Sequence, residues 1–199
     1  MAIDLSPENE LQWVKEGRVF TAQHGALTTP AAFETDLVLQ TFDWGVRVPA
    51  GVVIVPLRIA IITEATGAEV FQALISTCNN DPGTTGKTAF EPVNANSRYA
   101  TVKSKVFAYI TSTDNSGTAP ANVVDVHRAY VQADIDAINE AATFEQVVYA
   151  PLQGRGLPCI VGDDSNINAL LVLVGNGTSA SGYVLGAWAE WSYDEFYAA

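Results

Sequence analysis

From Val19 to Tyr193 the chain is a succession of short runs rich in Val, Ile and aromatic residues. Each run is closed by a Gly, Pro, Asn or Asp cluster after roughly 8–15 positions, a punctuation that leaves little room for anything but strands. Ala32 to Val48 reads as one long extended stretch, with Phe33, Leu37, Leu39 and Phe42 spaced mostly in steps of two. Pro49-Ala50-Gly51 turns the chain into Val52–Ile62. Pro56 should split that run, because proline brings no N–H to a central ladder. Thr66-Gly67 returns the chain into Val70 to Thr77, whose Val70, Phe71, Leu74, Ile75 and Cys78 would also line one helix face. Short length and flanking turns favour a strand there. Asn79 to Ser97 reads as a loop. Val102–Thr111, Val123–Asp136, Phe144–Ala150, Leu157–Val161, Asn168–Val174 and Tyr183–Tyr193 complete about eight to ten strands, the pattern of an antiparallel sandwich or barrel.

The N-terminal segment has a different grammar. Ser6 fits an N-cap, Pro7 the first helical position, and Glu8 and Glu10 suit the positive end of a helix dipole, with Gly17 as the stop. Its apolar residues, Leu11, Trp13 and Val14, are too few for a core helix. We therefore expect an arm or short helix over residues 1–18 and a single β-sandwich domain over 19–199. Met1-Ala2-Ile3-Asp4 lacks the basic start and apolar stretch of a signal peptide.

Composition then bears on surface. The chain is 48% hydrophobic but only 16% charged, against about 25% charged in an ordinary soluble domain. No window approaches the ~18 apolar residues of a membrane span, so burial between subunits is the better account of that balance. The formal charge is -12, with ten scattered Lys and Arg. Nucleic-acid binding needs clustered basic residues, which disfavours direct contact with nucleic acid. Cys78 and Cys159 read as buried free thiols.

Several motifs imitate chemistry. Asp81-Pro82-Gly83-Thr84-Thr85-Gly86-Lys87-Thr88 ends like a phosphate-binding loop, yet Asp81 stands where that motif needs glycine and no helix pattern follows. His24 and His127 are the only histidines, and no metal-ligand spacing joins them. Asp163-Asp164-Ser165-Asn166 offers hard oxygen ligands of the kind that hold Ca²⁺, without the loop pattern of an EF-hand. Asp134 with Asp136, and Glu190 with Asp194 or Glu195, are carboxylate pairs such as glycosidases use, with nothing to mark a cleft around them. Asn176-Gly177-Thr178 fits a glycosylation sequon and reads as a turn. We assign no catalytic residue, cofactor or metal, and expect a protein that is not an enzyme.

The C-terminal run is the most informative. Alternation puts Tyr183, Leu185, Ala187, Ala189, Trp191 and Tyr193 on one face of a strand, and Val184, Gly186, Trp188 and Glu190 on the other. Both faces are bulky, so we expect one to meet the sandwich core and the other a neighbouring subunit. The candidate interface is Trp13, Tyr183, Trp188, Trp191, Tyr193, Phe196 and Tyr197. An alternative is a lectin-like module in which Trp188 and Trp191 stack on a glycan, although period two sends them to opposite faces.

The Val48-Pro49-Ala50-Gly51 turn into Val52–Ile62, the closing pair Asn168–Val174 and Tyr183–Tyr193, and the ending Trp188-Ala189-Glu190-Trp191 resemble bacteriophage jelly-roll virion proteins, the capsid and decoration (cement) subunits. That resemblance implies a single jelly roll with a mechanical role in the virion. The subunit would associate with itself as a trimer and with other capsid subunits, after synthesis in the host cytoplasm.

Overall fold

A computed structural model describes residues 9–26, 29–64, 70–79, 87–111, 120–132, 146–150, 158–163, 168–175, 177 and 180–198. The chain opens with a helix α1 (Glu10–Lys15) and then runs through strands β1 (Val19–His24), β2 (Ala31–Ala32), β3 (Trp44–Val48), β4 (Val52–Glu64) and β5 (Val70–Cys78). There follow β6 (Lys87–Phe90), β7 (Val93–Asn94), β8 (Phe107–Thr111), β9 (Val124–Gln132), β10 (Gln146–Tyr149) and β11 (Ile160–Val161). The last elements are β12 (Asn168–Gly175), β13 (Ser181–Ser192) and a terminal helix α2 (Tyr193–Tyr197).

Every strand pairing among the described residues is antiparallel. One sheet runs β10-β4-β13-β1-β7, with β11 added to β4 and β2 to β13; the other runs β6-β8-β3-β12-β5-β9. The eight principal strands pair from the outside in. β1 meets β13, β3 meets β12, β4 meets β10 and β5 meets β9. A long hairpin rolled up in this way gives two four-stranded sheets, β1-β13-β4-β10 and β3-β12-β5-β9, which is the topology of a single jelly roll. The stretch between β5 and β9 supplies β6, β7 and β8, which extend the second sheet beyond β3 and add a strand to β1.

The two sheets close on one apolar layer. Trp44 and Val46 of β3, Ile59 and Ile61 of β4, Phe71 and Ile75 of β5, Leu170 and Val172 of β12, and Val184 and Trp188 of β13 all lie in it. Trp44 and Trp188 are fully buried with ring centroids 6.0 Å apart. Fully burying one large apolar side chain is worth about 1.5–3 kcal/mol, so this layer supplies the main stabilisation.

Each outer face is covered in part, over β12 in one sheet and the Trp191 end of β13 in the other, which explains why these two strands are apolar on both sides. On the second sheet, Ala169, Leu171 and Leu173 pack with Phe42, Leu74 and Cys78, and Leu37 and Leu39 lie against them. The expected long strand over Ala32–Val48 is therefore not one strand. The chain leaves β2, makes a 3-10 turn at Leu39–Thr41 and lays its apolar residues over that face before entering β3. Buried Asp43 fastens the segment by accepting from the backbone N–H of Glu34 (2.9 Å) and of Val174 (2.7 Å).

Pro56 does not split its strand. β4 is continuous over thirteen residues, and its register against β13 steps from Ala187↔Arg58 to Trp188↔Pro56, leaving Leu57 as the extra residue of a bulge. On its other side, among the described residues, β10 pairs from Ile59 to Ile61 and β11 at Val53 and Ile54. The bulge beside Pro56 is the kind of place in a sheet where a missing N–H does little harm. The Asn79–Ser97 loop also carries two strands, β6 and β7, short enough to escape a periodicity reading.

Candidate assembly surface

The aromatic C-terminus is built by local chemistry. Ser192 leaves β13 in an extended conformation, and its hydroxyl accepts from the N–H of Glu195 (3.3 Å). The Glu195 carboxylate in turn accepts from the Ser192 N–H (2.9 Å) and hydroxyl (2.7 Å), completing a capping box. Tyr193-to-Tyr197 therefore turns into a helix rather than extending the strand. These bonds, together with Arg18 (3.4 Å), hold the Glu195 carboxyl at about 2.

The helix divides its aromatics between two directions. Phe196 turns back to Trp191, ring centroids 5.6 Å apart, and Trp191 meets Trp13 of α1 edge to face at 5.1 Å. With Val19, Val55, Leu57 and Ala189 these rings cover the outer face of the first sheet. Tyr193 and Tyr197, four positions apart and so on one side of the helix, point outward with centroids 4.6 Å apart. They remain 46% and 51% exposed. Burial, with the Cys159 thiol beside it, pushes the Tyr197 phenol up.

The seven expected interface residues thus separate. Trp188 lies inside the sandwich with no exposed surface, and Trp13, Trp191 and Tyr183 are buried within the chain. The face of β13 that bears Trp191 is covered at that end by the chain's own α1 and α2, not by a second subunit. Phe196 is half-buried, and Tyr193 and Tyr197 are the members with substantial free surface. Trp188 and Trp191 do lie on opposite faces, and neither ring is open to a ligand.

Other candidates resolve into structure. Glu190 is buried, its carboxylate accepting from the Trp188 indole (2.7 Å), the Ser104 hydroxyl (2.5 Å) and the Lys105 N–H (3.0 Å). Burial raises its pKa against these three donors. It ties the segment between β7 and β8 to the last strand, and Glu195 faces elsewhere as a helix cap. Lys87 and Thr88 begin a strand, with the ammonium 5.4 Å from the Phe42 ring centre, so the phosphate-loop imitation does not open a helix. His24 sits on the first sheet, where burial lowers its pKa, and exposed His127 on the second, its ring 6.2 Å from Tyr149. Cys78 is buried as expected, whereas Cys159, just before β11, is exposed; neither forms a disulfide among the described residues. Asp134, Asp136, Asp164, Ser165, Asn166, Asn176 and Thr178 lie outside the described residues.

Beside Tyr193 lies an open cleft of about 740 Å³, lined among others by Gly51, Gly162, Asp163, Asn168, Tyr193 and Asp194. The Tyr193 N–H donates to the Gly51 carbonyl (2.8 Å), so the β3–β4 turn and the start of α2 form its fixed sides. This cleft brings Asp163 and Asp194 to one place, a juxtaposition that local motifs could not reveal. No family model, curated protein or solved structure matches the chain.

Proposed function

We propose that this chain is a structural virion subunit, a jelly-roll capsid or capsid-decorating (cement) protein that works by associating with itself, as a trimer, and with neighbouring capsid subunits. The observation that carries the reading is the Tyr193–Tyr197 pair. Two tyrosines stand 4.6 Å apart on a helix fixed by a capping box and anchored through Phe196 to the sandwich. Exposed aromatics held rigid before binding lose little entropy on docking, and such residues anchor protein interfaces. A chain with only 16% charged residues and a charge of -12 suits contact with other protein better than contact with packaged nucleic acid.

Removing 193–199 outright would also strip Phe196 from Trp191 and Glu195 from its cap, so point variants make the cleaner test. Native mass in solution and electron micrographs of the purified protein should show an assembly larger than a monomer. Tyr193→Ser with Tyr197→Ser should shift it towards monomer while the unfolding midpoint stays nearly unchanged. A wild-type protein that stays monomeric at high micromolar concentration and binds no capsid shell would overturn the reading.

A further inference from the structure

We propose that a second copy of this chain receives the tyrosine pair: the Tyr193–Tyr197 helix of one subunit docks on the exposed surface around Phe107, in the β6–β8 insertion of the next. The inference rests on the assembly reading and names the surface that meets those tyrosines. Charge singles the insertion out. Residues 87–111, which carry β6, β7 and β8, hold four basic residues (Lys87, Arg98, Lys103, Lys105) and one acid (Glu91), a net +3. The rest of the chain holds six basic and twenty-one acidic residues, a net -15. A molecule that bears one segment of opposite sign attracts a second copy of itself. A nucleic acid would meet the same +3 and be repelled by the remaining acids.

The insertion is apolar at its surface as well as basic. Phe107 is 54% and Val102 43% exposed, and Lys103 and Lys105 stand exposed between them. This surface is fixed before any partner arrives. The Phe107 ring lies 6.4 Å from that of Tyr109, which takes the Arg47 guanidinium at 5.7 Å. The Ser104 hydroxyl and the Lys105 N–H both donate to the buried Glu190 carboxylate, holding the approach to β8 from below. A surface ordered in advance loses little entropy on docking. Its counterpart has the opposite sign: α2 exposes Tyr193, Asp194 and Tyr197 and contains no basic residue. Phe107 belongs to the second sheet, whereas α2 continues β13 of the first. A contact that joins these two different surfaces is head-to-tail. Such contacts close into a ring when the rotation between neighbours divides a full turn, and at a third of a turn they make the trimer.

The test mixes two variants. Phe107→Ser with Lys105→Gln removes the receiving surface, and Tyr193→Ser with Tyr197→Ser removes the docking one. Each pair of substitutions should weaken self-association at least about tenfold, with the thermal midpoint nearly unchanged because the side chains are exposed. Mixed together, the two variants should form a one-to-one dimer and nothing larger, since one intact contact remains and neither free end can extend. Wild-type association should also weaken from low to high salt. A monomeric wild-type protein overturns the assembly reading and this inference with it. A wild-type assembly that the Phe107 and Lys105 substitutions leave at full strength overturns this inference alone. So does a mixture that stays monomeric, or nucleic-acid binding that these substitutions abolish while native mass is unchanged.

Discussion

Trp13, in the helix ahead of the first strand, meets Trp191, near the end of β13, edge to face with centroids 5.1 Å apart and ring planes at 89°. The contact joins positions at opposite ends of the sequence over one sheet face, and Arg18 reinforces it by pairing with Glu16 (2.9 Å) and Glu195 (3.4 Å). Exposed ion pairs of this kind contribute little; the rings dominate.

Trp13→Ala should accordingly lower stability by about 3 kcal/mol, the low end for truncating a buried aromatic. Trp191→Ala should do at least as much, since it contacts both Trp13 and Phe196. In a double-mutant cycle read by urea unfolding, the pair should show a coupling of about 0.5–1.5 kcal/mol. Additive losses would mean the two rings act independently.

Gly186→Ala should be destabilising by about 1–3 kcal/mol through overpacking. A methyl group there would sit 2.3 Å from the Trp44 ring, in the fully buried centre of the sandwich. Trp44→Phe in the Gly186→Ala background should recover part of the loss, whereas Trp44→Phe alone should be destabilising. Thermal midpoints of the four proteins decide the matter.

Stability should peak in mild acid. Burial raises the Asp43 carboxyl from 3.8 to about 7. Between those values the unfolded chain ionises while the folded one stays protonated, so the folded state binds more protons and stability falls as pH rises from about 4 to about 7. Glu190, also raised by burial, acts in the same sense. Glu195 acts oppositely. Held at about 2, it contributes stability present above its ordinary 4.5 and lost as pH falls towards 2, a small effect because the group is exposed. Urea midpoints from pH 3 to 8 test this. Asp43→Asn should flatten the fall towards neutral pH while lowering stability overall, because an amide would set an N–H₂ against one of two backbone donors.

Ser192→Ala removes the N-cap of α2 and should cost about 1 kcal/mol. Backbone amides of residues 194–198 should then exchange faster with solvent, with little change in the core strands. Under the assembly proposal, subunit association should weaken although both tyrosines remain. A full-strength assembly with a frayed helix would show that ordering of the pair contributes nothing.

Strand content and sandwich class were legible because β-branched runs and turn residues mark strands locally. β4, β12 and β13 lie where the pattern puts them, and Val70–Cys78 is a strand flanked by β12 and β9. Alternation also placed Trp188 and Trp191 on opposite faces. What covers each face was not legible, since Trp13 reaches Trp191 and Leu37 reaches the second sheet only through the tertiary fold. The terminal helix did leave a signal: Ser192-x-x-Glu195 is a capping box, masked by the strand pattern that runs straight into it. The cleft left none, being assembled from four separate chain segments.

Because β13 lies between β4 and β1, the sandwich is held open until its final strand arrives. β1 and β4 must wait through more than a hundred intervening residues of synthesis before their common neighbour leaves the ribosome. Pairings this distant in sequence form slowly, and the waiting edges are exposed meanwhile. Chains interrupted before Ser192 cannot complete the first sheet and do not present Tyr193 and Tyr197. Under the assembly proposal, a subunit synthesised only part-way through β13 therefore has no competent surface to offer a partner.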